Sequence, residues 1–192
     1  MLTIQLASAE RGVITAHLLE LDAEDRRLRF GCAMADEAIE HYVRDIDFER
    51  DALFGIYGEH LGLAGACHVA QTDDLAEFGV SVSPAHRRRG IGSALVARAA
   101  LHARNVGIGT LFMHCLSENT GMKRIARQLG MSIVTQCGEA DGTLELPGGT
   151  FASMFDEMAL QGIALYDYSL KSNTEAMRRL LEETMRIPTG IA

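Results

Sequence analysis

Residues 78–105, FGVSVSPAHRRRGIGSALVARAALHARN, decide how the rest of the chain is read. They predict a short strand (Phe78 to Ser83), a bend at Pro84, a basic glycine turn (Arg87 to Gly92) and a helix running to about Asn105. Gly90 and Gly92 let a backbone bend tightly and come close to a bulky ligand with no Cβ in the way. A glycine turn that feeds straight into a helix offers unpaired N–H groups and the positive end of the helix dipole, which suits phosphate oxygens. Arg87, Arg88 and Arg89 add permanent charge at the same spot.

Two phosphate-binding patterns fail on named residues. A Walker A loop needs a Lys after its glycines, and none follows here. A dinucleotide fingerprint needs a third Gly or Ala and an acid about 20 residues on; the third site is Leu95, and no Asp or Glu lies between Glu77 and Glu118. The pattern R/Q-x-x-G-x-G/A fits at every fixed position of Arg87-Arg88-Arg89-Gly90-Ile91-Gly92. Preceded by VSVSP and followed by a helix, a strand and an Asn-capped helix, this hexapeptide resembles the acyl-CoA pyrophosphate loop of the GNAT superfamily of N-acetyltransferases. The resemblance is sharp from about Ala76 to Met131, loose from Asp25 to Ala70 and absent over roughly the last 50 residues. It implies an α/β (α+β) GNAT fold, a mixed and mostly antiparallel central sheet flanked by helices. Two further helices are expected at the C-terminal end.

The 192 residues, 47% apolar and 23% charged, suit one domain spanning 1–192. No apolar run approaches the ~18 residues of a membrane span, and MLTIQLASAERG lacks the pattern of a signal peptide. A cytoplasmic protein without a membrane partner is expected. A net charge of −8 argues against nucleic acid, which requires a broad basic face. The arginine triplet is therefore read as a local pocket, and the acidic exterior favours a cationic acceptor. Cys32, Cys67, Cys115 and Cys137 show neither C-x-x-C spacing nor a His partner at ligand distance, so buried free thiols are expected and no metal site.

Residues 1–12 read as a tail or an edge strand, and Val13 to Leu21 as strand or short helix. Asp22 to Asp25 mark a helix start, and Asp36 an N-cap for Glu37 to Arg44. Ala52 to Tyr57, Leu61 to Ala70 and Leu75 to Ser83 form a predicted meander, with Thr110 to Leu116 the strand after the loop helix. Met122, Ile125, Ala126 and Leu129 give a helix closed by Gly130. Met131 to Cys137 and Thr143 to Leu146 are the last predicted strands. Thr150 to Leu165 carries Phe151, Met154, Phe155 and Met158 as an apolar helix face. Ser172-Asn173-Thr174-Glu175 reads as a capping box opening a final helix ended by Pro188. These two helices could pack on the sheet, cover the acceptor cleft or form a homodimer contact.

The resemblance also implies roles. Val80, Ser81 and Val82 would offer main-chain groups to the pantetheine arm of acetyl-CoA and to the oxyanion. Arg87, Arg88, Arg89, Gly90, Ile91, Gly92 and Ser93 would face its pyrophosphate, and Asn119 would contact the cofactor arm or serve only as an N-cap. DRRLRF (Asp25 to Phe30) and AEFGVSV resemble the protein lysine acetyltransferase branch, where a Glu at the place of Glu77 is the general base. The other reading of Glu77 is a solvated strand residue, and His114 is the rival base. The acceptor is an amine, either a lysine of a protein substrate or a small amino compound. The family's usual proton-donating Tyr falls on Ala126; Ser117, Cys115, Tyr166 or Tyr168 are the available substitutes. A weakly catalytic acyl-CoA sensor is the alternative to an enzyme.

Overall fold

The computed structural model describes residues 1–186. Along the chain run β1 (Ile4–Leu6), α1 (Arg11–Leu19), α2 (Ala23–Phe30), α3 (Asp36–Arg44), β2 (Ala52–Tyr57), β3 (Leu63–Thr72) and β4 (Leu75–Val82). Then follow α4 (Ile91–Asn105), β5 (Thr110–Leu116), α5 (Thr120–Leu129), β6 (Ser132–Gln136), β7 (Glu139–Glu145) and α6 (Phe151–Arg186). The sheet order is β1-β2-β3-β4-β5-β7-β6, antiparallel throughout except where β4 meets β5. This is the mixed, mostly antiparallel sheet that the resemblance implies.

Strand alternation sends successive side chains to opposite faces. Phe54, Cys67, Val69 and Phe78 point to the face covered by α4, where Leu95, Val96 and Ala99 close a core. Leu53 joins Ile14 and Leu18 of α1 and Ile39 and Val43 of α3 on the other. Local signals set the helix ends. The Asp22 side chain accepts from the Asp25 amide at the start of α2, and Gly31 and Gly130 end α2 and α5 in the left-handed conformation. Residues 13–19 resolve as helix, and Ala35 rather than Asp36 sits at the cap of α3. Cys67 and Cys115 are buried, whereas Cys32 and Cys137 are exposed, against expectation.

A buried histidine ties the two sides of the meander together. His17 of α1 lies 3.0 Å from the Leu63 carbonyl through Nδ1 and 2.9 Å from the Ser81 hydroxyl through Nε2. A carbonyl can only accept, so Nδ1 carries the proton and Nε2 accepts from Ser81. Burial holds the ring far below its ordinary value, at about 4.

The two predicted C-terminal helices are one helix of 36 residues. Ser172 to Glu175 does not cap: the Thr174 hydroxyl donates back to the Leu170 carbonyl, and Glu175 pairs with Arg178, Arg179 and His60. Pro188 lies outside the described residues. The docking face also differs from the predicted one. Phe151, Phe155 and Met158 are exposed, while Ser153, Glu157, Gln161, Ala164 and Tyr168 face the domain. Gln161 donates to and accepts from the Gln5 main chain of β1, and Tyr168 stacks on Tyr57 with ring centroids 4.6 Å apart. Glu157 receives Arg98 at 2.5 Å, His102 at 2.8 Å and Asn105 at 2.7 Å. Burial opposes its ionisation, but these donors outweigh it and hold the carboxyl at about 2.

Two consequences are measurable. Glu157→Ala strands the buried Arg98 guanidinium, and urea denaturation should show a loss of about 3–5 kcal/mol; a loss under about 1 kcal/mol would mean that Arg98 is rehydrated without cost. Between pH 6.5 and 4 the unfolded His17 binds a proton that the folded one refuses, so stability falls as pH drops through this window. From pH 7 to pH 5 the loss should be about 2 kcal/mol, and much of it should vanish in His17→Gln.

Candidate active site

β4 and β5 pair in parallel only at Leu75↔Thr110, Ala76↔Leu111 and Glu77↔Phe112. Beyond that point β4 stays bonded to β3 up to Val82, and β5 to β7 up to Leu116. Each strand follows its outer neighbour, so a wedge opens between them. The β5-facing main-chain edge of residues 78–82 is left without a strand partner, and such polar groups need one.

Two hollows meet in this wedge. A cavity of about 180 Å³ contains Glu77, Gly79, His114, Cys115 and Arg29 in its wall. A groove of about 760 Å³ runs from α2 across Val80, Ser81 and Val82 to the N-terminus of α4 and to α5. Leu28, Arg29, Val80, Asn119 and Met122 belong to both walls, so the two lie side by side.

The groove's far end is the glycine turn. Gly90 holds φ +81° at the cap of α4, where no side chain caps the first turn. The amides of Ile91, Gly92 and Ser93 belong to that uncapped turn, and all three residues line the groove. Gly92 serves packing as well: a Cβ there would come within 2.8 Å of Ile125 on α5. Arg87, Arg88 and Arg124 line the groove, whereas Arg89 does not. Arg87 is pinned, forming an ion pair with Asp25 of α2 and donating to the Val82 carbonyl at 3.3 Å. The Ser93 hydroxyl donates to Gln128 at 3.1 Å, and the Ser81 side chain turns away to His17, leaving its main chain to the groove. Asn119 caps α5 by accepting from the Met122 amide at 2.9 Å, and its amide donates to the Leu28 carbonyl at 3.1 Å.

Glu77 and His114 stand at the mouth of the wedge, one on each strand. Glu77 is exposed and shares a strand face with Gly79 and Ser81. His114 contacts Asp141 of β7 at 2.7 Å and lies 3.7 Å from Glu139. The Asp141 hydrogen bond raises the imidazole above its ordinary value, with Glu139 and Glu77 adding to the effect. Cys115 also faces the cavity, its thiol pushed up by burial. Ala126 is fully buried and lines neither hollow, and Tyr166 and Tyr168 on α6 are likewise absent from both walls.

Several residues in or behind the walls were not singled out by the sequence. The Arg29 guanidinium lies against Gly79, in space that a Cβ would occupy, and donates to the Tyr42 hydroxyl at 3.2 Å. Tyr42 donates to His68 Nδ1 at 2.6 Å, and His68 Nε2 donates to Asp51 at 3.1 Å. Asp25, Arg124, Gln128 and Asp141 complete the additions. Only the DRRLRF resemblance pointed toward α2; a hydrogen-bonded chain across three elements and a connecting loop leaves no local pattern.

The acetyltransferase (GNAT) family model matches residues 15–131. No curated protein matches the chain. Among solved structures, the GNAT domain of S. lividans PAT superposes with a TM-score of 0.64 at 17% identity, covering 75% of this chain and 89% of that one. A ribosomal-protein-alanine N-acetyltransferase from Brucella melitensis gives 0.60 at 13% identity, covering 76% and 100%. The structure of yncA, a putative acetyltransferase from Salmonella typhimurium with its cofactor acetyl-CoA, gives 0.60 at 16%, covering 77% and 95%. At such identities these structures speak for the fold, while the family match spans more than half of the chain. The chain belongs to the acetyltransferase (GNAT) family and is, by that membership, an N-acetyltransferase.

Proposed function

We propose that the chain works as one domain that moves the acetyl group of acetyl-CoA directly to an amine, with donor and acceptor bound together. The observation that carries this reading is that groove and cavity adjoin, with Val80 in the wall of both. A long anionic donor fits the groove from its arginine end, and an amine can approach from the side of Glu77. The first-turn amides of α4, Arg88 and Arg124 would take the pyrophosphate; Arg87 and Arg89 would add longer-range charge. The unpartnered edge of residues 80–82 would hold the pantetheine arm and donate to the oxyanion. Asn119, already bound to α2 and α5, would shape the passage for that arm.

An alkylammonium has a reference pKa of about 10, so its proton must be removed before nitrogen attacks. Glu77 is the proposed acceptor of that proton. The nitrogen then bonds to the thioester carbon, the C–S bond breaks, and the sulfur leaves as thiolate, tolerably so at a reference pKa near 8.5, while the nitrogen gives up its second proton to solvent or to that thiolate. That suffices without a hydroxyl at position 126. The acceptor is a lysine side chain of a protein or a small amine, and the net charge of −8 favours a cationic one in either case. A cytoplasmic setting suits this donor. The second reading, an acyl-CoA sensor with weak chemistry, draws its support from Ala126.

Thiol release across a panel of amines separates them. CoA should appear only with an amine present, and Glu77→Gln should lower kcat by about 10²- to 10⁴-fold while acetyl-CoA still binds. Binding without release under any acceptor favours the sensor, and no binding at all overturns both readings. The two bases are separated by pH. The His114 ring, followed by NMR, should titrate above 6.5 in the wild type and lower in Asp141→Asn. The acidic limb of kcat/KM should not move with Asp141→Asn if Glu77 is the base; a limb that follows it assigns the proton to His114.

A further inference from the structure

We propose that the outward face of α6 is the interface of a homodimer, in which two copies of the chain pair their α6 helices antiparallel. The helix is amphipathic the wrong way round for a lone domain. It docks through Ser153, Glu157, Gln161, Ala164, Tyr168 and Glu175, a stripe that is mostly polar. At about 100° per residue these positions occupy one side of the helix. The opposite side carries Phe151, Phe155, Met158, Met177, Leu180 and Leu181, exposed by 94%, 70%, 71%, 59%, 59% and 56%. From Phe151 to Leu181 no Asp, Glu, Lys or Arg falls on that side.

The size of this face fits an interface between folded partners. Eleven outward apolar side chains, exposed between 42% and 94%, present on the order of 1,300 Å² at about 200 Å² each when fully exposed. A standard interface removes about 800 Å² from each partner, whereas the apolar patches of monomers rarely exceed a few hundred. A lipid surface is the poorer occupant. Interfacial helices flank their apolar face with Lys and Arg to meet anionic headgroups, but this face is bordered by Asp156 and Asp167 as well as Lys171 and Arg178, on a chain of net charge −8.

Self-complementarity selects a second copy. The outward stripe recurs at 151, 155, 158, 162, 166, 169, 173, 177, 180 and 184, which repeats every 11 residues, the period of a right-handed helix pair. A two-fold axis through residues 167–168 sets Phe155 against Leu180, Met158 against Met177, and Gly162 against Asn173. Large apolar residues then meet at both ends of the pair. At the centre Tyr166 of each copy meets Ser169 of the other, and the flanking Gly162 and Asn173 leave room for its ring. Such an isologous contact closes on itself and leaves no free face for further growth.

Sedimentation velocity on the full chain tests this. The wild type should run at twice the chain mass in the low micromolar range, and Met158→Glu/Leu180→Glu at half that value, with unchanged far-UV circular dichroism and unchanged acetyl-CoA binding. A wild type that stays monomeric up to its solubility limit overturns the proposal. Cysteine crosslinking keeps it testable should the charged variant fail to fold. Nothing lies within 4 Å of a Cβ at Gly162, so a cysteine fits there. In a Cys32→Ser/Cys137→Ser background, Gly162→Cys/Asn173→Cys should give crosslinked dimers and Gly162→Cys alone should not. Crosslinking by Gly162→Cys alone means parallel helices and overturns the antiparallel pairing.

Discussion

The parting of β4 from β5 after Glu77↔Phe112 is the constraint on which the rest of the molecule turns. A strand edge opened inside a sheet leaves main-chain groups without partners, and such groups are costly unless something else binds them. The fold holds the opening from behind. His17 and Ser83 grip the β3–β4 hairpin at Leu63 and Ser81, and Arg29 fills the space over Gly79. Gly65 lets β3 lie close to Ile91 at the head of α4, where a Cβ would meet that side chain at 2.7 Å. The glycine turn is thereby fixed relative to the freed strand edge.

Charge is arranged along the same line. The chain is acidic overall, yet the groove gathers Arg87, Arg88 and Arg124 about an uncapped helix start. At the other end the wedge opens toward Glu77, Glu139 and Asp141, grouped about His114. Positive charge thus gathers at the groove and negative charge at the neighbouring cavity. Ala126, where the resemblance expects a tyrosine, is buried in the core and brings no hydroxyl to either hollow.

The sheet and the glycine turn were legible because they rest on short-range rules. Alternation gave the meander, Gly90 marked a left-handed φ, and Asn119 and Gly130 bounded α5. The polar network behind the wall was not legible. Arg29, Tyr42, His68 and Asp51 come from three elements and a connecting loop, and their chain of hydrogen bonds has no sequence spacing. The C-terminal segment misled for a specific reason. An apolar stripe at helical spacing is ordinarily the buried one, and Ser-Asn-Thr-Glu is ordinarily a helix start. In α6 the ion pairs of Glu157 and Glu175 win the docking contest, and the Thr174 hydroxyl bonds backward within an unbroken helix.

Gln161 has a further consequence through its two bonds to the Gln5 main chain. β1 is made before the other six strands of its sheet and lies at the outer edge of that sheet, yet the side chain that blunts its rim is made about 156 residues later. Until α6 emerges, a nascent chain offers that bare rim to any extended peptide nearby. Premature termination before residue 161 would leave the catalytic framework largely encoded but the rim unguarded, and such fragments should be prone to cross-chain strand addition.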